Sequence, residues 1–432
     1  MINRTLLLLV VSALCALPQD KPSHRAEIIF PPEHWHNHSS SIVELPNRDL
    51  FVCWFHGSGE RTADDVKIMA ARWSRNKEEW STPFDLADTP GFPDTNPTMF
   101  VDSKERLWLF WPAILANEWE TALMKYRVSD DYLKSGPPRW SRSDNILLIP
   151  KNLLGRTSEV LKRDLKPTPA GRHASRLIGM ASDKLSSRLG WFTRTHPIEL
   201  PSGRMIVPMY SDGFSFSLMA ISDDGGETWF ASEPIVGYGN IQPSVVRRRD
   251  GTLVAFMRDN GPPPKRIHRS VSKDEGMTWS PAEDTMLPNP GASVEAIALR
   301  DGTWLIVYND LEKGRNSLAV SLSDDEGETW TRTRHLEQHE QGQYHYPSVI
   351  EAQDGTIHVT YSYFVPGGAE GKQRKSIKHA QFNTAWVRAG DEAPVSAQAA
   401  RSGIKGKKNS ADLAAPRESV VREFMESSGA SR

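Results

Sequence analysis

The feature that most constrains the fold of this chain is an internal repeat. Three segments, at residues 222–229, 272–279 and 323–330, share the pattern Ser-x-Asp-x-Gly-x-Thr-Trp. Their tryptophans are about 50 residues apart, which is the length of a four-stranded propeller blade. Within each segment the Asp, Gly and Thr are residues that close a tight turn, and the Trp supplies apolar packing. The repeat therefore indicates a fold and assigns no chemistry.

A second repeated element is a turn followed by an alternating apolar strand. Clear copies with Asp-Gly turns begin at Asp250, Asp301 and Asp354, and weaker copies occupy residues 46–50, 102–108 and 201–205. Asp-Gly between apolar runs is a strong hairpin signal. Six copies predict an all-β, six-bladed β-propeller with four-stranded antiparallel blades, over residues 26–386.

About forty extra residues separate two of the weaker turn copies. Residues 151–189 within this interval are rich in Leu, Lys, Arg, Ser and Ala. This composition favours helical turns inserted between strands, so we predict a small helical insertion here and not a further blade.

The two ends of the chain differ in composition from the repeats. Residues 1–17 combine Arg4, an apolar run and small residues, which is typical of a signal peptide. The run is too short to span a bilayer. We therefore expect a secreted or periplasmic protein without a transmembrane segment. Residues 389–432 lack the aromatic rhythm of the repeats and are predicted to form a flexible tail.

The overall charge narrows the class of partner. A formal net charge of -2 and a pI near 6.7 give no basic footprint for nucleic acid.

The aspartates of the repeats do not have the spacing of an EF-hand loop, and the histidines do not have a zinc-binding spacing such as His-Glu-x-x-His. We expect neither a metal nor a cofactor.

With these boxes at this spacing, the sequence resembles the sialidase (neuraminidase) superfamily of six-bladed propellers. The resemblance implies three arginines that hold a substrate carboxylate, an aspartate acid/base, and a tyrosine nucleophile paired with a glutamate. Arg258 resembles the second arginine and Arg315, just before the third box, resembles the third. Tyr346, in the segment Tyr346-Pro347-Ser348 that leads to the last Asp-Gly turn, resembles the nucleophile.

Two positions depart from the superfamily pattern. Gln242 stands where the glutamate would be, and His38 stands where the first arginine would be. A neutral amide cannot take the phenolic proton as a carboxylate would, and histidine lacks the fixed fork of a guanidinium. Glu295, which we place in the next blade at the position that Gln242 takes in its own, either replaces the missing carboxylate or is an exposed residue at a strand end. Asp64 and Asp65 lie in a loop that resembles the one carrying the acid/base aspartate, so the resemblance implies that role for one of them.

Histidines recur at the predicted inner positions of several blades. His36 and His38 lie in the first blade, and His196 and His345 take similar positions in later blades. We interpret them as residues for substrate hydrogen bonding or acid/base chemistry.

These residues leave three functions open. The first is an exo-acting glycoside hydrolase on the acidic end of an oligosaccharide or polysaccharide, with Tyr346 attacking the anomeric carbon. The second is a polysaccharide lyase on uronic acids, in which arginine and histidine neutralise the carboxylate and Tyr or His abstracts a proton. The third is a glycan-binding propeller without catalysis, because the boxes mark the fold and not the site.

Overall fold

The computed structural model describes residues 21–367 and 372–391, and its strands form six antiparallel sheets. The sheets are the blades of a six-bladed β-propeller, as predicted. Each has four strands in sequential antiparallel order, and two of them gain one further short strand. The signal peptide predicted at 1–17 lies outside the described residues, and so does the predicted tail from residue 392 onward.

The first strand of the chain, β1 (His24–Ile28), belongs to the last blade. Blade 1 contains β2 (His36–Glu44), β3 (Leu50–Gly57), β4 (Lys67–Ser74), β5 (Glu79–Trp80) and β6 (Phe84–Ala87). Blade 2 contains β7 (Thr98–Val101), β8 (Leu107–Ile114), β9 (Ala122–Ser129) and β10 (Arg142–Asn145), with a 3-10 turn at Trp119–Thr121.

The predicted helical insertion follows blade 2. It contains α1 (Leu153–Leu161), a 3-10 turn at Lys162–Asp164, α2 (Pro169–Ser182) and α3 (Lys184–Arg188). Helix α2 begins after Thr168, whose side chain accepts a hydrogen bond from the backbone of Gly171, with Pro169 in the first turn. Its apolar stripe, which includes Ala174 and Leu177, packs into the core of blades 2 and 3.

The remaining blades complete the ring. Blade 3 contains β11 (Phe192–Thr193), β12 (Ile198–Glu199), β13 (Met205–Ser211), β14 (Phe216–Ser222) and β15 (Phe230–Ala231). Blade 4 contains β16 (Asn240–Arg247), β17 (Leu253–Asp259), β18 (Arg266–Ser272) and β19 (Glu283–Pro288). Blade 5 contains β20 (Glu295–Ala298), β21 (Trp304–Tyr308), β22 (Ser317–Ser323) and β23 (Arg332–Gln338). Blade 6 contains β24 (Gln343–Glu351), β25 (Ile357–Pro366) and β26 (Gln373–Phe382), and helix α4 (Thr384–Ala389) follows.

Strand β1 closes the ring by pairing with β26 at the outer edge of blade 6, where Ala26 lies opposite Ala380. The hydrophobic core lies between successive blades. Phe51 and Cys53 of blade 1, for example, pack in one cluster with Leu109 and Trp111 of blade 2. Cys53 is completely buried, so it is a packing residue.

The two repeated sequence elements occupy the same end of every blade in which they occur. The Asp-Gly turns join first and second strands, and in each the Asp accepts the backbone N–H two residues later, as Asp250 does from Thr252 at 2.8 Å. The boxes join third and fourth strands. In the box of blade 3, Asp224 accepts hydrogen bonds from the hydroxyls of Ser222 and Thr228. The boxes are therefore structural, as their composition indicates.

The blades are also hydrogen-bonded to one another around the axis. Ser41, Ser244 and Ser348 each accept the backbone N–H of the next blade's inner strand, from Met99, Ala296 and Ile42 respectively. These bonds fix the rotational position of each inner strand relative to its neighbour. None of the helices in residues 21–367 and 372–391 is long and apolar enough to cross a membrane.

Candidate functional site

The inner strands begin at the end of the propeller opposite the Asp-Gly turns, and four of them carry a strained residue there. Ser39, Asn96, Gln242 and Tyr346 have φ values of 58°, 39°, 55° and 54°. Such left-handed backbone is costly for residues other than glycine and collects at functional sites. In blades 1, 4 and 6 it coincides with a bulge in the pairing of the inner strand.

Tyr346 is at the centre of the candidate site. Its hydroxyl oxygen lies 3.0 Å from Nη1 of Arg258 and 3.2 Å from Nε2 of Gln242. The guanidinium carbon of Arg194 is 5.0 Å from the centroid of its ring, and that of Arg315 is 5.7 Å away. Three guanidinium groups therefore contact one phenol, one at its hydroxyl and two at its ring.

The three arginines have neutral partners. Arg258 donates to the side-chain oxygen of Asn260, Arg315 donates to the carbonyl of Gly291, and Arg194 donates to the carbonyl of Pro347. Among the residues that the structure describes, no carboxylate oxygen lies within salt-bridge distance of any of the three. A cluster of one buried and two half-buried cations without paired carboxylates is suited to binding an anion, because the anion supplies the missing charge.

Gln242 joins Tyr346 to a second buried phenol. Its Nε2 lies 3.0 Å from the hydroxyl of Tyr210, which is also 3.2 Å from Nδ2 of Asn96. Burial raises the pKa of Tyr210 well above its usual range, so this hydroxyl keeps its proton. Oε1 of Gln242 is buried without a partner. Exchanging the amide oxygen and nitrogen places the acceptor between two phenolic O–H donors, which satisfies both phenols.

His38 and His345 lie on the other side of the Tyr346 ring. The ring centroid of His38 is 4.2 Å from that of Tyr346 and 4.7 Å from that of His345, both in edge-on contacts. Nδ1 of His38 lies 2.6 Å from the hydroxyl of Ser362. Burial, reinforced by the nearby histidines and arginines, holds the pKa values of His38 and His345 well below their usual range. Both imidazoles are therefore neutral at neutral pH.

His36 has polar partners different from those of Tyr346. Its Nε2 lies 3.0 Å from a carboxylate oxygen of Glu60, and its Nδ1 lies 2.8 Å from Nζ of Lys375. Burial raises the pKa of Glu60, but the hydrogen bond and charge of His36, together with Arg315 and Lys375, outweigh it and lower the pKa overall. Glu60 is thus the carboxylate of the blade 1 loop that reaches toward the arginines.

Asp64 and Asp65, in the same loop, are exposed and hold the loop itself. Asp64 accepts a hydrogen bond from the amide of Asn117 in the neighbouring loop of blade 2, at 2.9 Å. Asp65 accepts from the backbone and the hydroxyl of Ser58. Within the residues that the structure describes, neither aspartate has a hydrogen bond to Tyr346 or to an arginine of the site.

Asp212, which the sequence analysis did not select, is half-buried directly after β13. Burial raises its pKa to about 6, against the opposing effect of the positive charge on Arg258. Asp212 in turn raises the pKa of Tyr210. The site therefore has a carboxyl group whose proton is retained to near-neutral pH, which is the property of a general acid.

Glu295 lies in a different cluster from the Tyr346 hydroxyl. One of its oxygens accepts from the backbone N–H and Nδ1 of His196, at 2.8 and 3.0 Å, and the other accepts from Val349 N at 2.7 Å. The bond to Val349 is the one that serine makes in other blades. Glu295 is therefore level with Ser244 and not with Gln242, which corrects the register expected from the sequence, and its oxygens hold blades 3, 5 and 6 together.

His196 completes this buried pair, and its Nε2 lies 2.8 Å from the carbonyl of Ile42. Burial lowers its pKa, but the charge and hydrogen bond of Glu295 outweigh burial and raise it overall. His196 thus acts as the partner of Glu295 between the blades.

Two further observations concern the parts of the described structure outside this cluster. A cavity of about 510 Å³ lies between blades 6 and 1, but residues such as Arg48 and Asp354, at the opposite ends of the inner strands, line it. Within residues 21–367 and 372–391, no group of three or more His, Cys, Asp or Glu side chains is arranged to hold a metal ion.

The model of the BNR repeat-like domain matches residues 48–164 and 183–359, which is more than half of the chain. The chain belongs to the BNR repeat-like family. No curated protein sequence matches it.

Solved structures with the same propeller extend the comparison for this BNR repeat-like protein. A Dyadobacter fermentans protein of unknown function has 16% identity and a TM-score of 0.63, over 85% of this chain and 100% of that one. The leech intramolecular trans-sialidase, solved with 2,7-anhydro-Neu5Ac, has 14% identity and a TM-score of 0.63, over 84% of this chain and 71% of that one. NanB sialidase from Streptococcus pneumoniae has 13% identity and a TM-score of 0.61, over 84% and 71%. At these identities the likeness shows the shared fold.

Compared with the residues predicted from the sequence, the site of this BNR repeat-like protein has one more arginine. Arg194, only 1% exposed, could not be selected from the sequence because it follows the helical insertion, where the spacing to the next repeat is lost. The sequence does contain a signal for the residues with left-handed backbone. Asn96, Gln242 and Tyr346 are each followed by Pro and then Ser or Thr, and this triplet marks the left-handed residue in blades 2, 4 and 6.

Proposed function

We propose that this protein is a secreted or periplasmic glycoside hydrolase that removes a carboxylate-bearing sugar from the end of a glycan. The observation that supports it is the cluster of Arg194, Arg258 and Arg315 around Tyr346, in which no guanidinium is paired with a carboxylate. A sugar carboxylate supplies the missing negative charge and places its anomeric carbon near the phenol. The solved sialidases share the fold, and their substrates are acidic sugars.

In this proposal Tyr346 is the nucleophile. Its oxygen forms a bond to the anomeric carbon while the bond from that carbon to the leaving oxygen breaks, and water then releases the sugar in a second displacement. The positive charges of Arg258 and Arg194 stabilise the phenolate. Gln242 cannot hold the phenolic proton, and burial holds the pKa of His38 well below its usual range, so in this proposal the proton passes to water.

The leaving oxygen needs a proton from a general acid. Asp64 and Asp65 are candidates from the loop they occupy, and Asp212 is a candidate from its environment. We place Asp212 first, because it is half-buried beside Arg258 and its pKa of about 6 leaves it partly protonated at neutral pH. The exposed Asp64 and Asp65 then shape the loop that borders the site.

A lyase acting on uronic acids is the second candidate, and the identity of Gln242 favours it. Proton abstraction beside a carboxylate needs cations to neutralise that carboxylate and a base, but it does not need a carboxylate partner for tyrosine. The arginines and the neutral His38 fit these roles. In this reaction the proton passes to the base, the bond to the leaving oxygen breaks, and a carbon–carbon double bond forms.

One experiment separates these functions. The purified protein is incubated with aryl glycosides of acidic sugars and with acidic polysaccharides. Released aryl alcohol and new reducing ends without ultraviolet absorbance support the hydrolase. New absorbance from a conjugated double bond supports the lyase. Tight binding of an intact acidic oligosaccharide without turnover over days contradicts both and indicates a glycan-binding propeller.

A further inference from the structure

The helical insertion has a charge that the rest of the protein does not share. Residues 151–189 contain nine Lys or Arg and three Asp or Glu, whereas the whole chain has a formal net charge of -2. The excess of six positive charges is therefore local to this segment. Such a concentration attracts a polyanion without making the protein basic overall.

Most of these cations are exposed and have no ion-pair partner. Arg156 pairs with Glu159 and Glu233, and Arg163 lies near Asp164. In the described residues the other exposed cations of the insertion have no carboxylate within salt-bridge distance. They are Lys151, Lys162, Lys166, Arg172, Arg176, Lys184 and Arg188. We call these seven residues the insertion surface.

The insertion surface lies beside the candidate site. Nη2 of Arg176 donates to the carbonyl of Gly213 at 3.3 Å, and Gly213 directly follows Asp212. Asp212 interacts electrostatically with Arg258, which is hydrogen-bonded to Tyr346. The insertion is also held to blade 3 by Trp191, whose Nε1 donates to the carbonyl of Ser187 at 3.0 Å and whose ring stacks on that of Phe214, 5.5 Å away. Arg176 of the insertion surface is therefore joined to the arginine cluster through Gly213 and Asp212.

We propose that the insertion surface binds the part of an acidic polysaccharide that extends beyond the sugar in the site. This inference rests on the proposed function and narrows its substrate to a glycan with negative charge on successive sugars. A substrate with one terminal acidic sugar needs cations only at the axis. The repeated cations of the insertion surface, on α2, α3 and the segments that flank α1, instead match a repeated charge on a long ligand, and binding releases the counterions of that ligand.

The test removes charge from the insertion surface away from the catalytic groups. The triple variant Lys162→Gln, Lys166→Gln, Arg172→Gln is compared with a control triple, Lys104→Gln, Lys273→Gln, Arg332→Gln. The control residues are exposed cations at the box and turn end of the propeller. Affinity for polygalacturonate and for heparin is measured for the full chain at NaCl concentrations between about 50 and 300 mM.

We expect the insertion triple to bind at least one probe about tenfold more weakly at low salt, with a flatter salt dependence, and the control triple to bind as the native protein does. Turnover of a small acidic aryl glycoside should be unchanged in both. If the insertion triple loses polymer binding and the native protein has no turnover, the result supports the insertion surface and rejects the hydrolase function. Circular dichroism of both triples checks that they are folded.

Three results overturn the proposal. The first is native affinity for both polymers in the insertion triple, and the second is an equal loss in the control triple. The third is the absence of polymer binding by the native protein at low salt. Vesicles of phosphatidylserine and phosphatidylcholine test a different partner. If the native protein binds these vesicles, and the insertion triple loses vesicle binding but keeps polymer binding, the insertion surface binds an anionic membrane. That result also overturns the proposal.

Discussion

The side-chain amide of Gln242 lies 3.2 Å from the hydroxyl oxygen of Tyr346, and both residues have left-handed backbone at the start of their inner strands. The pattern that the sequence resembles has a carboxylate in place of this amide. Gln242 therefore stands beside the phenol without offering it a carboxylate as proton acceptor. This difference makes residue 242 the most informative position to change.

Gln242→Glu should raise kcat for hydrolysis of an acidic aryl glycoside by about tenfold or more, because a carboxylate can take the phenolic proton that the amide cannot. Steady-state kinetics measures the effect. Asn96→Asp is the matched control, since it adds a carboxylate at the hydroxyl of Tyr210 and not at Tyr346. An equal gain in both variants, or no gain in Gln242→Glu, contradicts the role assigned to this position.

Tyr346→Phe should abolish turnover and leave binding of an acidic sugar nearly intact, because only the hydroxyl is lost. The expected weakening is about 1 kcal/mol, from the missing hydrogen bond. Single-turnover kinetics and calorimetry measure the two quantities. Tyr210→Phe serves as the control for a lost buried phenol. A Tyr346→Phe variant that retains most of its kcat excludes this residue as nucleophile and as lyase base.

Arg258→Ala and Arg315→Ala should each weaken binding of an acidic ligand by about 2–4 kcal/mol, because a buried charged hydrogen bond is lost. Calorimetry with the acid and with its methyl ester measures the effect, and the ester should lose much less. Arg139→Ala, at a side chain that is 84% exposed, is the control. Unchanged affinity in either site variant removes that arginine from the carboxylate site.

Glu295→Ala should lower the free energy of unfolding by about 3–5 kcal/mol, because His196 and the backbone N–H of Val349 lose a buried acceptor. Urea unfolding measures it. Ser348→Ala, which removes the neutral bond to Ile42, should cost only about 1 kcal/mol. If Glu295→Ala keeps full stability and loses only turnover, Glu295 is catalytic and the structural role is wrong.

The stability should fall in acid because of His358. Burial, with the nearby His379, lowers the pKa of His358 to about 3. Between about pH 6.5 and 3 the unfolded chain binds a proton at this residue and the folded chain does not. This residue therefore stabilises the fold above about pH 6.5, and that contribution falls by up to about 1.4 kcal/mol per pH unit below it. Urea unfolding from pH 7 to 5 should show a shallower slope in His358→Gln.

The blades and the site residues next to a repeated turn or box could be predicted from the sequence. Site residues that follow the helical insertion could not. Six Asp-Gly or related turns defined the blades because each turn is closed by neighbouring residues alone. Arg258, Arg315 and Tyr346 could be selected because each stands near a repeated turn or box. Arg194 and Asp212 follow the helical insertion, where the spacing to the next repeat is lost, so nothing local identified them.

The register of Glu295 shows an error in the sequence reasoning. We expected Glu295 level with Gln242. It precedes the Asp of its turn by six residues, as Ser244 does, whereas Gln242 precedes the Asp of its own turn by eight. Strand β16 has a bulge just before Ser244, and a bulge adds a residue to one strand without changing its composition. The hydrogen bond from Val349 to Glu295 agrees with the count from the turn.

The pairing of β1 with β26 has a consequence for how this protein is made. Ala26 and Ala380 are adjacent in the folded sheet, yet almost the whole chain separates them in synthesis. Contacts between residues so distant in sequence form slowly, since a long loop must close first. Until residues 373–382 leave the ribosome or the translocation channel, β1 has no partner and blade 6 has an open edge that other chains can join. A circular permutant that makes β1 directly after β26 should therefore reach the closed ring faster and aggregate less than the native order.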